Sequence, residues 1–421
     1  MARRYFGTDG VRGIVGDGIS PELVERLARA ATLWSGRGRV FVGRDTRASG
    51  VELEEAFARG VVSAGGNAVL AGVLPTPAVA LLALDLGVVI SASHNPPEYN
   101  GVKLFDRDGQ KLPDAAEEEI EALLDEGPRE PAGQVDRVEV ATDSYLEHVV
   151  ERFGSDLTGL RIAVDCANGA YSGLAPEAFE HLGAEIETIG DEPDGTNINV
   201  GCGATDLRAL QQTVTSGAFD LGIAFDGDGD RMLAVDRDGN VVDGDQIVAI
   251  LALDLGVDLV AVTQMTNLGF HRLMEERGIR VVTTDVGDRY VLEALRREQG
   301  VLGGEQSGHI IYLRDHVTGD GLAAALLLCA ALDGRTLAEA AAVMPLFPQV
   351  KQNVRVTRRE VPQAILDEAE RLNAELAGQG RVLVRPSGTE PLIRVLAEAE
   401  TTSKAESLCD TIAVLVSREL G

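Results

Sequence analysis

The chain has 421 residues, of which 45% are apolar and 25% are charged, and its formal net charge at pH 7 is −29. Single hydrophobic cores stop growing at roughly 250–300 residues, so this length predicts several domains, and the composition is that of a globular protein. The strong acidity argues against a protein that binds nucleic acid or a membrane surface, because both classes present a basic face.

Short apolar stretches alternate with amphipathic stretches over most of the chain. The alternation begins with RVFVG (39–43), a helix over 51–64, the stretch NAVLAG, a helix over 77–84 and the stretch GVVISAS. It returns at LRIAVDCANG (160–169) and at DLVAVTQMTN (258–267), where an apolar run again ends in small polar residues. This rhythm predicts three α/β domains of similar construction, with mixed, largely parallel sheets and crossover helices.

The alternation changes near residue 350. There KQNVRVT precedes a charged helix over 361–377, the stretch RVLVRPSGTEPLIRVLAEAE and a last helix. We expect a small C-terminal α+β domain whose strands pair antiparallel. With a linker at DEGPREPAGQ, the domains predicted around a central cleft are 1–135, 136–243, 244–350 and 351–421.

The first polar cluster follows an apolar run in VVISASHNPPEYNGVKLF (88–105). Ser93 lies just past a predicted buried strand, at the end of a strand where ligands bind in open α/β sheets. His94 would be the base if the cluster belonged to a serine hydrolase. However, neighbours in an extended strand point to opposite faces, and no GxSxG elbow is present. An ordinary structural turn is the other alternative.

The second cluster is GIAFDGDGDRMLAVD, in which Asp226, Asp228 and Asp230 alternate with glycines. Three carboxylates this close repel one another unless a cation neutralises them, and oxygen-only ligands favour Mg²⁺ or Ca²⁺. An EF-hand is excluded, because Arg231 stands where that loop needs glycine and Arg237 stands where it needs an acidic ligand. A solvated acidic turn is the remaining alternative.

The third cluster is LGGEQSGHIIYL (302–313). Glu305, Ser307 and His309 alternate here, and at strand spacing they would share one face. A carboxylate and a hydroxyl on one face suit sugar hydroxyls, which both donate and accept hydrogen bonds. The alternative is a glycine-rich turn beside a buried histidine.

The fourth cluster is RVLVRPSGTEPLIRV (381–395). Backbone N–H groups in a Ser-Gly-Thr turn form an anion nest, and two guanidinium groups grip a phosphate through paired hydrogen bonds. The candidate phosphate-binding residues are Arg385, Ser387, Gly388, Thr389 and Arg394. An ordinary hairpin turn with surface arginines is the alternative. Nucleotide binding is unsupported, because the chain has neither a Walker A motif nor a GxGxxG after a strand.

A serine, a hard-metal site and a phosphate nest in one chain together indicate phosphoryl transfer. The clusters, together with YFGTDGVRG near the start, resemble the α-D-phosphohexomutase family. Five motifs occur in the family's order: YFGTDGVRG, SASHNP, DGDGDR, GEQSGH and RPSGTEPLIRV. The first and fourth favour the branch that acts on glucosamine phosphates over the branch that acts on mannose and glucose phosphates. The resemblance implies three α/β domains and a four-stranded C-terminal α+β domain around a central cleft.

The resemblance also implies roles for individual residues. Ser93 would carry a phosphoryl group, and Asp226, Asp228 and Asp230 would hold one Mg²⁺ per active site together with the phosphoserine oxygen. Glu305, Ser307 and His309 would bind the sugar, Asp288 would face it unless it only caps a helix, and Arg231 would add positive charge. The general acid and base would come from Lys103, His309 and Arg12, and the fourth cluster would bind phosphate.

The implied reaction interconverts glucosamine 6-phosphate and glucosamine 1-phosphate through a 1,6-bisphosphate, which would supply UDP-N-acetylglucosamine and cell-wall precursors. A sugar 1,6-bisphosphate would serve as an activator. The expected partner is a hexosamine phosphate, with no nucleic acid and no membrane, and the chain would be a monomer or homodimer. Three rivals stay open: a mutase for glucose or mannose phosphates, a phosphatase-like enzyme and a non-catalytic sugar-phosphate-binding protein.

Cysteine usage and apolar runs predict the compartment. The four cysteines are far apart and form no CxxC pair, which favours a reducing compartment over a disulfide framework or a zinc site. MARRYFGTDG lacks the apolar core of a signal peptide, and the longest apolar run, Leu322–Leu332, is too short to span a bilayer. We therefore expect a soluble cytoplasmic protein.

Overall fold

The computed structural model describes residues 4–7, 9–130, 132–358, 360–387 and 391–421. These residues form two compact units. The larger unit comprises the described residues up to Gln264 together with Arg280–Ala342, and the smaller unit comprises Met265–Ile279 together with Val343–Gly421. Two of the predicted phosphate-binding residues, Gly388 and Thr389, lie outside the described residues.

The larger unit contains three mixed sheets. The first has the strands β1 (Val11–Ile14), β2 (Arg39–Arg44), β3 (Asn67–Val73), β4 (Leu86–Ile90), β5 (Tyr99–Asp106) and β6 (Val135–Arg137), in the order β1-β5-β4-β2-β3-β6. The second has β7 (Arg161–Asp165), β8 (Glu185–Ile189), β9 (Leu221–Phe225), β10 (Met232–Asp236) and β11 (Val241–Val242), in the order β11-β10-β9-β7-β8. The third has β12 (Leu259–Thr263), β13 (Arg280–Thr284), β14 (Leu302–Gly304) and β15 (Ile310–Tyr312), in the order β13-β12-β14-β15.

Helices connect these strands and cover the sheets. Those before the second sheet are α1 (Pro21–Trp34), α2 (Gly50–Ser63), α3 (Thr76–Leu81), α4 (Asp114–Ala122) and α5 (Ala141–Phe153). The later ones are α6 (Leu174–His181), α7 (Arg208–Ser216), α8 (Gly244–Asp254), α9 (Leu268–Arg277), α10 (Asp288–Glu298), α11 (Gly321–Leu332) and α12 (Leu337–Ala341). Of these, α9 belongs to the smaller unit.

Local sequence explains where these elements form. The central strands β4, β9 and β12 are buried along their whole length and are almost entirely aliphatic, as strands covered on both faces require. Helix α1 begins after Ser20, whose hydroxyl accepts a hydrogen bond from the backbone N–H of Leu23, and Pro21 occupies its first turn. Helix α11 is apolar on all sides because nearly every one of its residues is buried.

The three sheets share one arrangement. In each, a strand that pairs parallel with its neighbour (β4, β9 or β14) is followed by a loop and then by an antiparallel strand (β5, β10 or β15). We call the loops the serine loop (91–98), the aspartate loop (226–231) and the glutamate loop (305–309). Each loop therefore leaves the carboxyl end of a strand in a mixed sheet, where open α/β sheets bind ligands.

The smaller unit is an α+β structure. Its strands β16 (Gln349–Arg355), β17 (Gly380–Pro386) and β18 (Leu392–Ala399) form an antiparallel sheet in the order β16-β18-β17. Its helices α13 (Gln363–Leu376) and α14 (Thr402–Leu420) pack on one face of that sheet around a core that includes Ile365, Ile393 and Ile412. The described residues of this sheet form three strands, one fewer than the resemblance implies.

The predicted fold class is confirmed: three α/β domains with mixed sheets precede a C-terminal domain with an antiparallel sheet. The domain boundaries stay predictions, and β6 pairs with β3, so the first sheet continues to Arg137. Within the described part of the chain, no helix combines the length and apolarity needed to cross a membrane.

Candidate active site

Ser93 is buried in the serine loop with its hydroxyl directed at the aspartate loop. Its Oγ donates a hydrogen bond of 2.6 Å to Oδ2 of Asp226 and lies 3.2 Å from Nδ1 of His94. The backbone φ of Ser93 is +51°, in the left-handed region that non-glycine residues seldom adopt. Gly227 of the aspartate loop packs against this backbone, since a Cβ there would lie 2.8 Å from the Ser93 carbonyl oxygen. The two loops are thus in direct contact.

The aspartate loop brings its three carboxylates together. One ligand oxygen from each of Asp226, Asp228 and Asp230 lies within 4.8 Å of the others, and all three residues are buried. Among the described residues, Oδ1 of Asp228 and Oδ1 of Asp230 have no hydrogen-bond partner. An unsatisfied buried carboxylate oxygen is costly, and a set of oxygen ligands is what a hard divalent cation prefers. The triad therefore fits a metal ion such as Mg²⁺.

The pKa values of these carboxylates reflect their crowding. Burial raises the pKa of Asp226 well above its ordinary value, and the neighbouring charges of Asp230 and Asp228 raise it further. Burial would also raise the pKa of Asp230, but the positive charge of Lys103 holds it well below its ordinary value. The charge of Arg231 lowers the pKa of Asp226 but does not offset its burial, whereas Lys103 more than offsets the burial of Asp230.

Lys103, on β5, is the buried cation of the site. Its Nζ lies 2.7 Å from Oδ2 of Asp228, 3.0 Å from Oδ2 of Asp230 and 3.3 Å from Oδ2 of Asp9. Burial alone would lower its pKa, but these three carboxylates raise it well above the ordinary value. Arg12 also pairs with Asp9. Lys103 and Arg12, two of the three candidates for the general acid and base, therefore share Asp9 as a partner.

Arg12 connects this charge cluster to the serine loop. Its Nη1 donates to the carbonyl oxygen of Ala92 at 3.3 Å and to Oδ1 of Asn95 at 3.2 Å. Within the aspartate loop, the backbone N–H of Arg231 donates to Oδ1 of Asp226 at 3.1 Å. The Arg231 side chain is one-quarter exposed, with Nε 3.8 Å from Oδ1 of Asp230. One arginine thus contacts the serine loop and the other contacts the triad.

The expectation that Glu305, Ser307 and His309 share one strand face is wrong. The glutamate loop is a tight turn, in which the N–H of Gly308 donates to the Glu305 carbonyl and the N–H of Glu305 donates to the His309 carbonyl. Gly308, with a φ of +91°, allows this turn, and the turn interrupts the alternation that a strand would keep. Ser307 is exposed at its tip, whereas His309 is buried.

Glu305 and Asp288 lie on adjacent segments. Oε1 of Glu305 accepts a hydrogen bond of 3.1 Å from the backbone N–H of Gly287. Gly287 is the N-cap of α10, so the alternative in which Asp288 caps this helix is wrong. Burial raises the pKa of Glu305. The segment that carries Asp288 is therefore held to the glutamate loop, and the sugar-facing roles of Glu305 and Asp288 stay predictions.

The two histidines of the motifs have different environments. Burial, helped by the charges of Arg231 and Arg12, lowers the pKa of His94 to about 4, so this ring is neutral near pH 7. His309 lies between two carboxylates, with Nδ1 3.7 Å from Asp230 and Nε2 3.6 Å from Asp288. Burial would lower its pKa, but the neighbouring carboxylates of Asp230 and Asp288 raise it.

The structure also places residues in the site that sequence reasoning missed. Lys111 is buried and pairs with both Asp9 and Asp288. The hydroxyl of Thr76, at the start of α3, donates to Oδ2 of Asp228 at 2.6 Å. Both residues lie in stretches without a recognisable motif, so only their packing reveals them. Arg47, in VGRDTR after β2, was also missed, although an arginine and an aspartate directly after a buried strand were a usable signal.

In the smaller unit, Arg385 and Arg394 lie directly opposite each other on β17 and β18. Nη2 of Arg394 lies 3.5 Å from Oγ of Ser387, a residue that follows β17 and is buried. A cavity of about 170 Å³ includes both arginines, and Lys351 and Asn353 of β16 also line it. Side chains on this face of the sheet therefore combine positive charge with a concave surface, which favours an anion.

Comparisons with known proteins give one consistent result. Four domain profiles of the phosphoglucomutase/phosphomannomutase family match the chain: alpha/beta/alpha domain I at residues 3–130, domain II at 143–239, domain III at 243–347 and the C-terminal domain at 352–415. The phosphoglucosamine mutase of Moorella thermoacetica is 48% identical over 431 residues, covering 96% of this chain and 97% of its own.

Solved structures show the same fold. A phosphoglucomutase/phosphomannomutase family protein from Burkholderia thailandensis aligns with a TM-score of 0.85 at 23% identity, over 99% of this chain and 98% of its own. The N-acetylphosphoglucosamine mutase of Aspergillus fumigatus, solved in complex with GlcNAc-6P and magnesium, aligns with a TM-score of 0.71 at 19% identity, over 99% and 96% of the two chains.

Proposed function

The chain belongs to the phosphoglucomutase/phosphomannomutase (α-D-phosphohexomutase) family, and on this basis we propose that it is a phosphoglucosamine mutase. The observation that carries the proposal is the hydrogen bond of 2.6 Å from the buried hydroxyl of Ser93 to Asp226, within a triad of carboxylates suited to a metal ion. The enzyme interconverts glucosamine 6-phosphate and glucosamine 1-phosphate, which leads to UDP-N-acetylglucosamine and cell-wall precursors.

Asp226, Asp228 and Asp230, with an oxygen on phosphorylated Ser93, would hold one Mg²⁺. When bound, the ion neutralises negative charge on the transferring phosphoryl group. Two unpartnered buried oxygens of the triad support this assignment. The charge of Arg231, beside Asp230 and Asp226, adds to the positive potential at the same place.

The phosphoryl group passes from Ser93 to the free hydroxyl of the sugar phosphate. The bond from phosphorus to Ser93 Oγ breaks and a bond to the sugar oxygen forms, while a base accepts the sugar hydroxyl proton and an acid protonates the Ser93 Oγ that leaves, which yields the 1,6-bisphosphate. After the bisphosphate turns around, its other phosphoryl group returns to Ser93; a base accepts the Ser93 hydroxyl proton, and an acid protonates the sugar oxygen that leaves. Lys103, His309 and Arg12 are the candidates for these proton transfers, because all three lie in the cluster around the triad.

Binding groups complete the proposed site. Glu305, Ser307 and Asp288 bind sugar hydroxyls, and the phosphate that is not reacting binds Arg385, Ser387 and Arg394 together with Gly388 and Thr389. The substrate is a hexosamine phosphate, and a sugar 1,6-bisphosphate restores the phosphoserine when it has been lost. The four domains have the predicted bounds 1–135, 136–243, 244–350 and 351–421.

The proposal is tested by ³¹P NMR of the purified protein with glucosamine 6-phosphate and Mg²⁺. We expect a glucosamine 1-phosphate signal with the native chain, no such signal with Ser93→Ala, and an unchanged signal with Ser144→Ala, which alters an exposed serine on α5. Parallel samples contain glucose 6-phosphate or mannose 6-phosphate.

Other outcomes identify the rivals. Faster turnover of glucose or mannose phosphate would make the chain a mutase for those sugars. Release of inorganic phosphate alone would indicate a phosphatase. No reaction, even after addition of glucose 1,6-bisphosphate, would contradict the enzyme assignment and leave a sugar-phosphate-binding protein.

A further inference from the structure

The strained backbone of Ser93 needs an explanation, because nothing in the proposed chemistry itself holds it. A φ of +51° is unfavourable for a residue with a Cβ, so surrounding contacts must stabilise it. This conformation accompanies the direction of the hydroxyl toward Asp226 at 2.6 Å. The contacts that maintain it therefore determine where the transferring oxygen lies.

A buried arginine supplies most of these contacts. The side chain of Arg47 is completely buried. Its Nη2 donates to the carbonyl oxygens of Ser93 at 2.9 Å and Asn95 at 2.8 Å, and its Nη1 donates to those of Tyr99 at 3.0 Å and Pro96. One guanidinium group thus holds three carbonyl oxygens of the serine loop and that of Tyr99, the first residue of β5. A planar group with five donors is suited to this, whereas a lysine ammonium is not.

The backbone N–H of Ser93 is held from the same centre. It donates to Oγ of Ser91 at 2.8 Å, and the Ser91 hydroxyl donates to Oδ2 of Asp45 at 2.6 Å. Asp45 in turn forms the ion pair of 2.8 Å with Nε of Arg47. Both the N–H and the carbonyl of Ser93 are therefore held by a single buried network.

A second donor reaches Ser93 from the second sheet's domain. Nδ2 of Asn199 donates to the carbonyl oxygen of Ser93 at 2.9 Å and to that of Asn95 at 3.2 Å. Gly227 packs against this contact, because a Cβ there would lie 2.8 Å from both Asn199 Nδ2 and the Ser93 oxygen. The serine loop is thus held to a loop of the same domain as the aspartate triad.

We propose that Arg47 and Asn199 are positioning residues for phosphoryl transfer, which clamp the Ser93 carbonyl between two donors and so keep its hydroxyl aimed at the metal site. The inference rests on the proposed mutase function. Neither side chain touches the hydroxyl, so both act through the backbone. A displacement of about 1 Å at a reacting atom reduces turnover by roughly 100-fold, which sets the scale of the effect.

Asn199→Gly is the informative variant. Asn199 has a φ of +58°, which glycine adopts freely, so the change removes the amide without straining the backbone. The control is Asn197→Ala in the same segment, which removes a bond of 2.9 Å from Nδ2 to the Glu192 carbonyl and a bond of 3.0 Å from the Asp194 N–H to Oδ1; neither of these side-chain bonds goes to the serine loop. We expect Asn199→Gly to lower kcat by about 10- to 100-fold with KM and Tm nearly unchanged, and the control to leave kcat unaltered.

A spectroscopic readout separates positioning from general destabilisation. The ³¹P resonance of phosphorylated Ser93 should shift or broaden in Asn199→Gly and not in the control. Arg47→Lys keeps a positive charge beside Asp45 but loses the planar guanidinium donors, and it should lower kcat further. If Arg47→Lys does not fold, the kcat of Asn199→Gly is sufficient to test the proposal. Wild-type kcat in Asn199→Gly, or an equal loss in the control, would overturn the proposal, whereas an inactive wild type would instead contradict the mutase assignment.

Discussion

At the scale of single residues, the site of the larger unit consists of buried side chains that form ion pairs with one another. Lys103 contacts Asp228 and Asp230, and Asp45 is paired with the buried Arg47. Deleting one partner of a buried pair typically costs about 3–5 kcal/mol, because the other charge is left uncompensated. A substitution in this cluster therefore changes both the stability of the protein and its catalysis. Variants of neutral residues, or of charged residues outside the cluster, separate the two effects better.

His271, on α9, gives the smaller unit a dependence on pH. Burial, together with the charge of Arg381, lowers the pKa of His271 to about 4. The ring ionises near pH 6.5 in the unfolded chain, so the folded state loses stability as the pH falls from about 6.5 to about 4. We expect His271→Gln to reduce this loss by at most about 3 kcal/mol, measured by urea unfolding at pH 7 and pH 4.5. The control is His181→Gln, which replaces an exposed histidine. If the free energy of unfolding depends on pH equally in the two variants, the prediction is contradicted.

At the scale of elements, the same connection recurs with different chemistry. The serine, aspartate and glutamate loops each join a strand paired in parallel to its antiparallel neighbour. In the smaller unit, the paired strands β17 and β18 carry the phosphate-binding candidates Arg385 and Arg394. Strand ends of this kind hold small polar residues because the rigid strands position them while the turns need glycine and serine. The repeated connection explains why three of the motifs follow apolar runs in the sequence.

The glutamate loop is joined to β10 through Gly308. This residue has a φ of +91°, and a Cβ there would lie 2.2 Å from the Met232 carbonyl oxygen. We expect Gly308→Ala to lower the free energy of unfolding by about 3 kcal/mol or more and to raise KM, because the turn must move away from β10. Urea unfolding and steady-state kinetics measure both effects.

Gly334→Ala is the matched control for this change. Gly334 has a φ of +79° with open space around its Cβ position, so alanine there adds only backbone strain, about 1–2 kcal/mol. Equal losses of stability in the two variants would show that the contact with Met232 has no energetic weight.

At the scale of the whole molecule, the proposed roles divide between the two units. The serine and the carboxylate triad belong to the larger unit, whereas the paired arginines of β17 and β18 belong to the smaller one. The net charge of −29 opposes an anionic substrate, so we expect its binding to depend on local cations such as these arginines.

Arg394→Ala tests this division. We expect it to raise KM for glucosamine 6-phosphate by at least about tenfold, since one charge-assisted contact to phosphate contributes roughly 1.5–3 kcal/mol. Mg²⁺ affinity, measured by calorimetry, should not change, because the triad lies in the other unit. Arg418→Ala, on an exposed face of α14, is the control and should leave both values unaltered. A loss of Mg²⁺ binding in Arg394→Ala would contradict the division.

Many of the strands and site loops could be predicted, because each is encoded by a short stretch of sequence. An aliphatic run followed by glycine and aspartate predicts a buried strand and a loop of carboxylates, as found for β9 and the aspartate loop. The glutamate loop was predicted less well, since the alternation of Glu305, Ser307 and His309 is equally compatible with a strand and with a turn. Its closure depends on hydrogen bonds between residues 305, 308 and 309, which spacing alone does not reveal.

The sequence by itself determined the fold class, the family and the segments that carry chemistry, because these depend on periodicity and on residue types within short stretches. Only the tertiary structure revealed which distant groups meet: Lys103 with Asp228, Lys111 with Asp288, and Arg47 and Asn199 on the Ser93 carbonyl. These partners are separated by 46 to 177 positions. A buried charge requires a partner, and packing between the sheets brings these partners together. Both effects arise only in the folded chain, so they leave no local pattern in the sequence.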